Sequence, residues 1–94
     1  MVDRPSRRQD APQATTEHLG RLQRLSLAIV RLAGSQGLTA HETAFRLRID
    51  RASIQPRLSE LRSKGRITDS GMRRRNASGR RAIVWIARDA FAGG

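Results

Sequence analysis

Residues 39–65, TAHETAFRLRIDRASIQPRLSELRSKG, decide the fold. Thr39-Ala40-His41-Glu42 has the form of a capping box, in which the Thr hydroxyl and the Glu carboxylate each close on the other's backbone N–H. It predicts a helix over about 40–48, with Ala44, Phe45 and Leu47 as its apolar side. His41-Glu42 lacks the second His, four residues on, that a zinc helix needs; Phe45 stands there instead. Ile49-Asp50 makes a short turn into the next helix, capped by Asp50 or Ser53. Pro56 is harmless in a first turn, where its missing N–H has no bond to make, and costs ~3 kcal/mol deeper in. A start at Asp50 would force a kink, so the spacing favours a loose turn over 51–53 and regular helix from about 54 to 64. Ile54, Leu58 and Leu61 recur at i, i+4 and i+7 and form its buried face. Gln55, Pro56, Ser59 and Ser63 point away, with Arg51 and Arg62 along one edge of that exposed face and Arg57 and Lys64 along the other.

Upstream, residues 15–36 read as a long helix capped by Thr15 or Thr16. Leu19, Leu22, Leu25, Ile29, Leu32 and Ala33 form its apolar stripe, with Val30 at the margin and Leu27 among the polar positions. Gly37 is its expected left-handed end, and Leu38 is a short extended piece. Downstream of Gly65 the period changes from helix to strand. Residues 66–73 read as a weak strand anchored by Ile67, and 80–87, RRAIVWIA, as a strong β-branched and aromatic one. Asn76-Ala77-Ser78-Gly79 is the turn between them. The hairpin tip therefore carries Arg73, Arg74, Arg75, Arg80 and Arg81 with no acid among them. Trp85 is expected in the core. Val84 and Ile86 face the other way and need cover from the first helix, the tail or another subunit.

The chain has 94 residues, enough for one domain and too few for a deep substrate cavity beside a stable core. With 19 basic and 8 acidic residues it carries a net +11, and all but one of the bases, Lys64, are Arg. A surplus of this size points to a polyanion, usually nucleic acid. Arg presents a planar fork of donors that fits phosphate and the edge of guanine. Zero cysteines exclude disulfides and thiolate zinc sites. His18 and His41 have no partner constellation for metal or catalysis, and no nucleophile motif, phosphate-cradling Gly loop or paired carboxylates occur, so neither an enzyme nor a cofactor is expected. No run of ~20 apolar residues spans a membrane, and no apolar segment marks a secretory signal, so the expected location is cytoplasmic. Residues 1–14, with Pro5 and Pro12, read as a disordered basic arm, 15–87 as the domain, and 88–94, with Phe91, as a short flexible tail.

In this order of elements, residues 37–87 resemble a winged helix-turn-helix domain, an α+β fold of three helices and a C-terminal β-hairpin wing. The blocks SIQPRLSELRSKG (53–65) and ITDSG (67–71), with the Arg-rich turn before AIVW (82–85), are similar to small winged-helix proteins carried by bacteriophages and prophages. The resemblance covers about half the chain. It implies binding to double-stranded DNA, as a regulator of transcription or an accessory in replication or packaging. In a bacterium a nucleoid association would follow, and such domains often pair through the first helix, which makes a homodimer one expectation; a monomer that buries the same stripe against its own sheet is the other. The wing pattern of Z-DNA binders is missing: Ser59 stands where they have an aromatic residue, and the wing has no Pro.

Helix-turn-helix modules put the second helix of the pair in the major groove, with its N-terminal residues at base edges. Arg51, Ser53, Gln55 and Ser59 are the candidates here, since Gln pairs with adenine, Arg with guanine and Ser with either. Arg57 and Arg62 are candidates for bracing the DNA backbone, although Arg57 is also spaced to pair with Glu60. Arg73, Arg74, Arg75, Arg80 and Arg81 of the wing would lie along phosphates or enter the minor groove. An RNA-binding module and a protein–protein adaptor are the alternatives. Single-stranded RNA readers offer stacking aromatics, and two of the three here, Phe45, Trp85 and Phe91, are expected to be buried.

Overall fold

The Thr39 capping box forms in full. The Thr39 hydroxyl accepts the Glu42 N–H at 3.1 Å, and the Glu42 carboxylate accepts the Thr39 N–H at 2.9 Å. A computed structural model of the chain describes residues 16–88, and the expectations for the arm, for Thr15 and for the tail beyond Arg88 lie outside them. Within them the architecture is α+β. Helix α1 (Thr16–Ala33), a 3-10 turn (Gly34–Gln36), α2 (Ala40–Leu47) and α3 (Arg51–Ser63) precede an antiparallel hairpin of β1 (Ile67–Arg75) and β2 (Arg81–Ala87). No helix among the described residues is long and apolar enough to cross a membrane.

The helix α2 buries Ala40, Thr43, Ala44 and Leu47 to differing degrees, a face spaced i, i+3, i+4, i+7. Phe45 is not part of it, contrary to expectation, and is 78 % exposed. Thr43 takes the core position because its hydroxyl is satisfied inside the helix, donating to the Thr39 carbonyl at 2.8 Å. A buried Thr so bonded packs as Val would.

Helix α3 begins earlier than expected. Asp50 is its cap, with the carboxylate accepting the Ser53 N–H at 3.2 Å, and the helix runs on through Pro56. The proline removes the amide that would bond to the Ala52 carbonyl, and both residues are exposed, so water can serve that acceptor. The helix ends in a Schellman motif. The Gly65 N–H reaches the Arg62 carbonyl, and the Arg66 N–H reaches the Leu61 carbonyl, both at 2.9 Å. Gly65 takes the left-handed position, φ 76°. The same motif closes α2, where Ile49 bonds back to Ala44, but there Arg48 takes the left-handed position at φ 59°, ψ 40°.

The core joins Leu27 and Val30 of α1, Ala44 of α2, Ile54, Leu58 and Leu61 of α3, Ile67 of β1, and Trp85 and Ala87 of β2 around Leu38. The buried face of α1 is rotated from the expected stripe. Leu22, Ser26, Leu27 and Val30 are buried, while Leu32 is 81 % exposed. Ser26 sits in the middle of that face with no hydrogen-bond partner for its hydroxyl, so it acts there through its small size. A polar residue chosen for size is invisible to a count of apolar positions. Because α1 packs on α2, α3 and β2, it needs a wider buried face than one stripe.

Leu38 pairs with Trp85 through two backbone hydrogen bonds, 2.9 and 2.8 Å, which dock the hairpin against the helices. Gly37 lies beside this junction at φ 66° and ψ −177°, so it has a positive φ without being left-handed helical. A Cβ there would stand 2.5 Å from the Trp85 carbonyl oxygen and 2.7 Å from Val84 Cγ1. Val84 and Ile86 are buried on that side. Gly37→Ala should therefore lower stability by at least about 2–3 kcal/mol, whereas Arg48→Gly should raise it by about 1 kcal/mol by relieving a left-handed arginine. Urea unfolding of the two variants beside the parent checks both signs.

Candidate nucleic-acid interface

Strand pairing sorts the basic hairpin. Ile67, Thr68 and Asp69 pair with Ala87, Ile86 and Trp85. After a bulge, Arg73, Arg74 and Arg75 pair with Ile83, Ala82 and Arg81. Paired residues share a face and successive residues alternate. Arg73, Arg75 and Arg81 thus lie on the face of Ile83 and Trp85, and Arg74 on the opposite one. The turn between the strands forms as expected. Asn76 Oδ1 accepts from the Ser78 N–H at 3.0 Å and the Ser78 hydroxyl at 2.6 Å.

The five tip arginines have different tasks. Arg74 donates to the Glu42 carboxylate and, at 2.8 Å, to the Gln36 carbonyl, so it ties the wing to the α2 capping box. Arg73 grips Asp69 across the bulge at 2.9 and 3.1 Å. The Arg73 guanidinium, and then the Gly71 N–H, hold the Asp69 carboxyl below its ordinary pKa. Arg75 donates to the Gly79 carbonyl at 2.9 Å, closing the turn. Arg80 and Arg81 have no side-chain partner among the described residues.

On α3 the same sorting occurs. Arg57 is 9 % exposed and makes a forked pair with Glu60, Nε to Oε1 and Nη2 to Oε2, each at 2.8 Å. Gln23 of α1 donates to Glu60 at 2.7 Å and accepts from Lys64 at 2.8 Å. Of the two readings of Arg57, pairing with Glu60 is the one the geometry shows, and Glu60, through Gln23, joins α3 to α1. Arg62 stands over the Trp85 ring, 5.9 Å from its centroid, a cation–π contact that covers the indole from the solvent side. Arg51, Gln55 and Ser59 remain exposed or nearly so, in line along α3, while Ser53 is spent on Asp50.

Arg51, Gln55 and Ser59 face Asn76, Arg80 and Arg81 across one open cleft between α3 and the hairpin, floored by Leu58, Ile83 and Trp85. His41 reaches the same cleft from the first turn of α2. The sequence reading left His41 and Asn76 out of the site. His41 could have been found from its place in the first turn of the helix before α3, and Asn76 from its adjacency to Arg75. The polar lining of the cleft is cations and amide or hydroxyl groups, and among the described residues no carboxylate lines it. No family model matches the chain, and no curated protein matches it.

The Glu60 junction has a pH signature. The Arg57 hydrogen bond is the largest effect and holds the carboxyl below its ordinary pKa; burial opposes it, and Gln23 adds a smaller lowering hydrogen bond. A depressed carboxyl contributes stability that is present above the unfolded-state pKa and lost as pH falls through the folded-state value. Glu60→Gln should therefore cost up to about 1 kcal/mol near pH 7, a discount appropriate to a partly exposed carboxylate. The gap in melting temperature from the parent should close as pH falls through and below the ordinary carboxylate range. A gap that stayed constant across that range would show that the Glu60 charge contributes nothing.

Proposed function

We propose that the protein is a winged helix-turn-helix binder of double-stranded DNA, with α3 in the major groove and the β1–β2 wing on the flanking phosphates or minor groove. The observation that carries this reading is the cleft. Arg51, Arg80 and Arg81, without side-chain partners among the described residues, converge there with Gln55, Ser59 and Asn76. Like charges brought together with no acid beside them repel, so a role in folding does not account for them. A phosphate backbone does. Gln55 and Ser59, small and hydrogen-bonding, suit base edges, and Arg51 suits guanine or phosphate. A role in phage or bacterial transcription, or as a replication or packaging accessory, follows from the same resemblance, as does pairing of two copies through α1.

The contact set differs from a simple count of basic residues. Arg57 and Arg74 are engaged within the fold, so their loss acts through the position of α3 and the wing. Arg80 and Arg81 are the phosphate candidates. The double change Arg80→Ala and Arg81→Ala should leave the fold intact, weaken binding to all duplex sequences, and reduce the log–log salt slope by roughly 2. Gln55→Ala should relax preference at one base pair, by ~1–3 kcal/mol. The parent protein should enrich a motif from a random duplex library at ~150 mM salt, where phosphate-only binding is suppressed. An inverted repeat about one helical turn apart would add a dimer. A folded protein that enriches nothing, with no salt-dependent affinity for duplex, would exclude the DNA reading.

A further inference from the structure

Beside the cleft lies a second groove that shares only His41 and Arg51 with the proposed duplex-binding surface. It sits at the junction of α2 with α3 and is lined by Phe45, Ala44 and Ile49, with His41, Arg48 and Arg51 on its rim. His41 and Arg51 line both depressions, so the two are continuous around these side chains. Phe45 is 78 % exposed on a helix that has a complete buried face without it. A single exposed aromatic is ordinary, but its setting here is not. Arg48 holds the left-handed position next to it, φ 59°, where glycine would sit with less strain. Arg48 and Arg51 have no side-chain partner among the described residues. The groove's carboxylate, Asp50, is turned to the Ser53 N–H and hydroxyl.

An open aromatic face between unpaired guanidiniums matches a nucleic-acid strand whose base stacks on the ring while its phosphates meet the cations. A base inside a duplex cannot offer that face, because both its sides are already stacked. We infer that Phe45 stacks an unpaired base next to the duplex, so that the protein prefers double-stranded DNA with a single-stranded extension over blunt duplex. Arg48 and Arg51 then carry the phosphates of the strand leaving the cleft. The inference rests on the duplex-binding reading. An acidic peptide with a bulky apolar side chain would also suit the charge. The nucleic acid is favoured because the groove is continuous with the cleft proposed for the duplex.

The test is a set of fluorescence-anisotropy titrations of the full chain with four duplexes of the same sequence. One is blunt, one has a 5′ extension of four thymidines, one has the same extension at the 3′ end, and one has an abasic extension of equal length. A gain of roughly tenfold for a thymidine extension of one polarity, absent for the abasic extension, is expected. Phe45→Ala should abolish that gain and Phe45→Trp should keep it, with the blunt affinity of each variant reporting on the duplex surface. Equal gain from the abasic extension would overturn stacking and leave a phosphate groove. Blunt duplex bound with no gain from either extension would overturn this inference alone. No binding to blunt duplex even at low salt would overturn the duplex reading and this one with it. Movement of the Phe45 ring resonances on adding a synthetic Asp- and Leu-rich peptide, with none on adding any extension, would assign the groove to a protein partner instead.

Discussion

The two hydrogen bonds between Leu38 and Trp85 are the constraint on which the rest of this molecule depends. A two-stranded hairpin is marginal by itself in water. Pairing the far edge of β2 with Leu38 gives it a third backbone neighbour and fixes its position against the helices. The approach is possible only because Gly37 has no side chain where the Trp85 carbonyl and Val84 lie. Trp85 in turn shares the core with Leu58 and Leu61 of α3, so the seat of the hairpin against that helix, which bounds the cleft, depends on one residue pair and one missing Cβ.

Charge is distributed on a second principle. Of the basic groups near the cleft, some are neutralised in place and some are left open. Glu42 serves twice, accepting the Thr39 N–H at the start of α2 and the Arg74 guanidinium of the wing. Glu60 likewise collects Arg57 and Gln23, joining α3 to α1. With only 8 acids against 19 bases, carboxylates are scarce, and each of these two orients more than one element. Among the arginines they leave over are Arg51, Arg80 and Arg81, which face the open cleft.

Much of this was legible from the chain. The capping box, the i, i+4, i+7 face of α3, the Gly65 stop and the Asn76–Gly79 turn follow from local chemistry, and all form. The departures on the helices come mainly from reading a residue's place from its hydrophobicity. That rule puts Phe45 inside and passes over Thr43, yet Thr43 satisfies its own hydroxyl and is buried. Leu32 was put in the stripe and Leu27 outside it, because the small Ser26 centres a face that no apolar count detects. Arg74 was grouped with its neighbours because charge counting takes no account of strand alternation, and its partner Glu42 lies 32 residues away. Pro56 favours a later start for α3 on the cost of its missing amide, yet the helix starts at Arg51, and the exposed carbonyl that loses its partner is open to water.

The bulge in β1 settles a question of parity. Between the pairs Asp69–Trp85 and Arg73–Ile83, β1 spends Ser70, Gly71 and Met72 where β2 spends Val84 alone. The surplus is even, so inward and outward positions keep their sense across the irregularity, and Arg74 arrives on the side of Glu42. Loss of a single residue from this stretch would leave an odd surplus, which either a one-residue bulge absorbs with the outer pairs unchanged or a one-residue slip of the outer arm removes, turning Arg75 toward Glu42 and Arg74 toward the cleft. Loss of two would keep the alternation in a shorter, more regular ladder. The register held beyond the bulge thus selects which arginine is a strut and which faces outward, without any change in the arginines themselves.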